Sequence, residues 1–162
     1  MANSYLAAYL NDHFAGSVMA VDLLAQLESS HAGTQIARVL SELRGDIEAD
    51  RRELKSLMDR LHITESRPRK ATAWLTAKLA EIKLNIEDEG SGPLRLLESV
   101  EAVALGIDGK LALWRSLSAA SEIDAELRGV DYERLAQRAE KQRQRAEKIR
   151  LSAAKAALAP MR

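Results

Sequence analysis

Few residues of this chain have types suited to chemistry, and the clearest of them recur at helical spacing. His13 lies between Leu10 and Ser17, Asp50 between Ile47 and Leu54, and Gln142 between Ala139 and Ala146. Each is therefore a polar residue on an otherwise apolar helical stripe. Asp108 sits on the shoulder of a further stripe, beside Ile107. Asp46 precedes Asp50 by four residues, so both carboxylates can face one ion from one helix. Lys141 and Arg145 flank Gln142. A buried polar group without a partner costs about 1–3 kcal/mol, so residues placed this way should meet one another. Two chemistries follow. One is a metal site built from His13, Asp46, Asp50 and Asp108. The other is a salt-bridged layer of His13, Asp50, Asp108 and Gln142, with Lys141 or Arg145 neutralising Asp50 and fixing helix register. A His13–Asp50 pair would raise the imidazole pKa.

Other chemistries have less behind them. There is no Cys, which excludes disulfides, thiolate metal sites and Cys nucleophiles. Ser17 lies one turn from His13, a pair that helical spacing alone produces. Gly90-Ser91-Gly92 precedes a helix start, but Glu87, Asp88 and Glu89 oppose a phosphate there.

Helices must position these residues. The chain has 162 residues, enough for one domain (1–162) with a core of its own. Aromatics make up only 4%, while Ala, Leu, Glu, Lys and Arg dominate, a balance that favours long helices over sheets. The first predicted helix runs from about Asn3 to His31, with Gly33 just past its end. Its inward stripe is Leu6, Leu10, His13, Ser17, Ala20, Leu24 and Leu27. The second is capped by Thr34 and carries Ile36, Leu40, Leu43, Ile47, Asp50, Leu54, Leu57 and Leu61. A connector, 62–92, holds a shorter helix opening at Pro68, with Ala71, Trp74, Leu75, Leu79 and Ile82 apolar. The fourth runs from Pro93 to about Ser118 on Leu97, Val100, Ala104, Ile107, Leu111 and Trp114. Gly106 and Gly109 inside it suggest close approach of a neighbouring helix. The fifth is capped by Asp131 and carries Tyr132, Leu135, Ala139, Gln142, Ala146, Ile149 and Ala153. Trp74 and Trp114, if on one face, would line an apolar pocket under the connector helix.

The short link after His31 makes the first two helices antiparallel neighbours. A connector helix running back along the bundle leaves the fourth helix parallel to the second. Two antiparallel pairs joined by a long crossover result. Counted from one end at 1.5 Å per residue, His13, Asp50, Asp108 and Gln142 fall within roughly 5 Å of one level.

With this topology the chain resembles ferritin-like bundle proteins, in particular the small bacterial, stress-associated, rubrerythrin- or ferritin-like branch. The matching runs are Tyr9-Leu10-Asn11-Asp12-His13, Leu43-Arg44-Gly45-Asp46-Ile47-Glu48-Ala49-Asp50 and Glu101-Ala102-Val103-Ala104-Leu105-Gly106-Ile107-Asp108-Gly109-Lys110. The resemblance implies an all-α, ferritin-like four-helix bundle with an added crossover helix. Metal-binding members place a Glu on each of two helices and Glu-x-x-His on each of the other two. Here Glu140-Lys141-Gln142-Arg143 puts Arg143 at a His position, and the second helix offers Asp46 and Asp50 without a His. The expected function is accordingly non-catalytic binding or scaffolding with a reduced or lost metal site. The alternative is a di-iron or manganese carboxylate protein.

Charge adds a third class. Residues 131–162 carry nine Lys/Arg against four Asp/Glu, net +5, while residues 1–63 carry six against nine, net −3. Arg138, Arg145 and Arg150 could contact nucleic acid. The near absence of stacking aromatics there favours a helix that instead complements the acidic half, or that of a second copy in a homodimer. No stretch approaches the roughly 18 apolar residues of a membrane span, and no basic, apolar leader opens the chain. A soluble cytoplasmic protein is the expectation.

Overall fold

The computed structural model describes residues 3–66 and 92–159, with Ala77, Ala80 and Glu81 between them. The described residues form an all-α four-helix bundle: α1 (Ser4–Ser30), α2 (Gln35–Arg60), α3 (Gly92–Ser121) and α4 (Tyr132–Leu158). No helix among them is long and apolar enough to cross a membrane. The expected connector helix, with Pro68, Ala71, Trp74, Leu75, Leu79 and Ile82, lies outside the described residues, as do Gly90 and Ser91.

The helix starts follow from side-chain caps. Asn3 Oδ1 accepts from the Tyr5 N–H at 2.9 Å, Thr34 Oγ1 from Ala37 at 3.2 Å, and Asp131 Oδ1 from Arg134 at 3.0 Å. Each satisfies a backbone donor that has no partner within its helix. Gly33 supplies the left-handed backbone (φ +81°) of the tight α1–α2 link. At the end of α2 that conformation falls on His62 (φ 55°). The Ile63 N–H bonds to Met58 O at 2.9 Å and the His62 N–H to Asp59 O at 3.0 Å. This is a Schellman stop, sealed by burial of both Met58 and Ile63. Asn11 then ties the outgoing chain to α1. Its Nδ2 donates to Ala7 O and Thr64 O, and its Oδ1 accepts from the Ser66 N–H at 2.7 Å.

Ion pairs between helices fix their directions. Along α2, Asp46, Asp50 and Glu53 meet Arg145, Arg138 and Arg134 of α4 in descending order, so those helices are antiparallel. Glu101 meets Arg150 and Asp108 meets Arg143, so α3 and α4 are antiparallel too. Hence α2 and α3 run the same way. The neighbours around the bundle are α1–α2, α2–α4, α4–α3 and α3–α1. A single 3-10 turn, Ala125–Leu127, joins α3 to α4 and inserts Leu127 into the core. The Tyr132 hydroxyl donates to Leu127 O at 2.7 Å and holds that turn down.

The core is a column of Leu, Ile, Val, Met and Trp, each fully buried large side chain contributing about 1.5–3 kcal/mol. On α4 the buried residues are the seven of the predicted stripe. Three of them are Ala, so α3 packs closely along this face, and the α3–α4 seam is the most extensive among the described residues. On α1 no residue from Asp12 to Met19 is fully buried, which marks where its packing is incomplete.

Candidate functional site: a charged layer beside a cavity

Helical periodicity carries Asp50 and Gln142 into the middle of the core, 1% and 0% exposed. Neither is left unpartnered. The Lys110 ammonium crosses from α3 and donates to Asp50 Oδ2 at 2.5 Å and to Gln142 Oε1. Gln142 Nε2 donates to the same Oδ2 at 2.8 Å. Arg138 Nε donates to Oδ1 at 2.6 Å. Both carboxylate oxygens and the glutamine carbonyl are thus engaged, which offsets the several kcal/mol needed to desolvate each charge. Two cations, Lys110 and Arg138, face one carboxylate.

Burial drives the Lys110 pKa down from its ordinary value. The Asp50 carboxylate opposes this, and the nearby Arg138 guanidinium adds to it. The ammonium side chain is only 13% exposed.

Several expectations require correction. Asp108 is not in the core; its side chain is 50% exposed and pairs with Arg143 at 2.9 Å. The α3 residue that reaches the layer is Lys110, which the α3 backbone carries inward between Ile107 and Trp114. Lys141 is exposed on the far side of α4. Arg145 pairs with Asp46 at the rim of the α2–α4 seam and leaves Asp50 to Lys110 and Arg138. His13 does not bond to Asp50, whose oxygens are already taken. It is half-buried, packs edge-on against Tyr9 at a ring-centroid distance of 4.6 Å, and has its pKa lowered by burial, with Asp12 opposing. The predicted direction of that shift is reversed. Ser17 Oγ donates to Phe14 O at 2.6 Å and forms no bond to His13.

The four residues of the envisaged metal site are consequently apart in function. Asp46 and Asp50 hold guanidinium and ammonium groups, Asp108 is on the surface, and His13 packs against Tyr9. Among the described residues no group of three or more His, Asp or Glu side chains could hold an ion. This donor set does not fit a divalent metal.

The basic last helix is likewise engaged. Arg138 holds Asp50, Arg145 holds Asp46, and Arg150 holds Glu147 at 2.7 Å and Glu101 at 3.4 Å. The three arginines envisaged for nucleic acid do not form a free basic face.

Beside the layer, between α1 and α3 with α2 at its back, lies a cavity of about 140 Å³. Gly16, Gly106 and Gly109 border it, and Asp50 and Lys110 stand at its inner end. The glycines do not serve close helix contact. Among the described residues, a Cβ at Gly16 or Gly106 would meet nothing within 4 Å, and one at Gly109 only His13 Cε1 at 4.0 Å. Trp114 lines this largely apolar space, which opens against α1. Trp74 falls outside the described residues. The signal for Lys110 was its spacing, with Ile107 three residues before and Trp114 four after; for Arg138, Leu135 three before and Gln142 four after.

No family model matches this chain, and no curated protein or solved structure matches it either.

Proposed function

We propose that the protein is a non-catalytic, ferritin-like binding bundle in which the Lys110 ammonium stands where metal-bearing bundles of this kind hold an ion. The observation that carries this reading is the bonding of Lys110 Nζ to both Asp50 and Gln142 at the centre of the core. A fixed cation there repels a divalent metal and uses the oxygens that would ligate it. Two antiparallel pairs with α2 parallel to α3 support the ferritin-like part of the reading. The charged layer aligns the four helices, and the neighbouring cavity supplies a place for a ligand.

Elemental analysis tests it. Protein produced with iron, manganese and zinc present should carry only traces of each after gel filtration. Near-stoichiometric metal that disappears in both His13→Ala and Asp50→Ala would overturn the reading in favour of a carboxylate metal centre.

A further inference from the structure

The cavity between α1 and α3 is shaped by what those helices lack. Gly16 of α1 and Gly106 and Gly109 of α3 all border it. None of the three has the left-handed backbone that asks for glycine. No described neighbour comes close enough to exclude a Cβ at any of them. Each weakens its helix relative to alanine. What they share is the space they leave. Along the α1 wall, no residue from Asp12 to Met19 is fully buried. Leu105 lines the same space and is 56% exposed, so an apolar side chain stands largely uncovered beside it.

The chemistry of the walls selects among occupants. Most of the lining is apolar, with Ala20, Ile47, Leu54, Val103 and Leu113 among it. The charged groups that line it balance, Asp12 and Asp50 against Arg51 and Lys110. His13 adds no charge at neutral pH, because burial lowers its pKa. At the inner end both Asp50 oxygens are held by Lys110, Gln142 and Arg138. The site therefore presents no net charge to a counter-ion. An ionised ligand would give up its hydration to these walls and gain no opposite charge in return. An apolar ligand gains simply by leaving water. Volume sets the other limit. An apolar cavity of about 150 Å³ holds a benzene molecule, and this one, at about 140 Å³, is of that size.

We propose that the cavity between α1 and α3 binds a small, neutral, apolar molecule the size of benzene or toluene. The inference deepens the reading of the protein as a metal-free binding bundle and rests on it. The ligand fills the volume that the three glycines leave, covers Leu105 and completes the packing of α1 between Asp12 and Met19. The Asp50–Lys110 pair at the inner end keeps its own bonds and offers nothing to a charged headgroup.

Isothermal titration of the intact protein with toluene, benzoate and benzylammonium tests this, the three probes sharing one ring and differing in charge. Toluene should bind one per chain, and each ion at least about tenfold more weakly, because its charge is desolvated without a partner. Gly16→Leu and Gly106→Leu fill the space from opposite walls, and each should weaken toluene binding at least about tenfold. Gly45→Ala, away from the cavity, should leave binding unchanged. Circular dichroism checks that the variants fold, and should one leucine variant fail, the other carries the comparison. No toluene binding by the folded protein would mean that the chain itself or a second copy fills the space, and would overturn the inference. So would either ion binding as tightly as toluene, or toluene binding that survives in a folded leucine variant. Metal content of the same preparation separates the two readings. Stoichiometric metal defeats the earlier one, whereas metal-free protein that binds no toluene defeats only this one.

Discussion

Replacing Asp50 by asparagine removes the one negative charge against which the Lys110 ammonium and the Arg138 guanidinium are held. The side chain keeps its volume and one carbonyl acceptor, so packing around Ile47 and Leu54 is little changed. The cost is electrostatic. Removing one partner of a buried ion pair typically costs about 3–5 kcal/mol, because the other charge stays desolvated without compensation. Arg138 is partly exposed and can turn toward water, so Lys110, 13% exposed, carries most of that penalty. Lys110→Met behaves differently. It takes away the desolvated ammonium together with its partner's bond, while Asp50 retains Arg138 and Gln142. The methionine occupies much of the lysine stem's volume but leaves the buried Gln142 carbonyl without its donor, so the expected cost is about 1–3 kcal/mol. The asymmetry is the prediction. Urea unfolding followed by helical circular dichroism at neutral pH reads it directly. At a slope of about 2 kcal/mol per molar, Asp50→Asn lowers the midpoint by about 2 M and Lys110→Met by about 0.5–1.5 M. An Asp50→Asn variant within about 1 kcal/mol of the parent, or a Lys110→Met variant costing more than Asp50→Asn, would show that Asp50 does not hold a desolvated ammonium.

Further outcomes follow from the same geometry. Burial lowers the His13 pKa below its ordinary value of 6.5, so between the lowered value and 6.5 the unfolded chain binds a proton that the folded chain does not. Stability is therefore lost as pH falls through that window, and His13→Gln flattens the fall in melting temperature from pH 7 to 5. Gly45→Ala on α2, where an added Cβ meets nothing within 4 Å among the described residues, should stabilise the protein by up to about 1 kcal/mol in the same urea assay. Asp108→Asn breaks only the half-exposed pair with Arg143 and should cost no more than about 1 kcal/mol, in contrast to Asp50→Asn.

Much of the bundle is legible in the sequence because periodicity acts on position and not on residue type. The α4 stripe from Tyr132 to Ala153 can be read off residue by residue, and the same rule places Asp50 and Gln142 inside despite their polarity. Depth along a helix is equally legible, at a fixed rise per residue. Angle about the helix axis is less so. Asp108 and Lys110 lie at nearly the same depth on α3, yet one faces Arg143 at the surface and the other the core. Charged side chains are rarely buried, which hides Lys110; its flexible four-carbon stem lets an ammonium reach a partner on the opposite helix. The cavity is hidden for another reason. It arises from side chains that are missing, at glycines on two helices, and an absence becomes a space only once the helices are set side by side. The 3-10 turn carrying Leu127 follows from tertiary packing that no local pattern announces.

The ion pairs that join the two hairpins also have a polarity. Among the described residues, each runs from an acid of α2 (Asp46, Asp50 or Glu53) to a base of α3 or α4 (Lys110, Arg134, Arg138 or Arg145). The hairpins are thus a lock and a key of opposite sign. Two copies of the same hairpin, set face to face as these are, would bring like charges together across the seam, so each half recognises the other in preference to itself. A chain severed between residues 67 and 91 should still yield halves that find each other, and a swapped dimer would have to preserve the same acid-to-base matching.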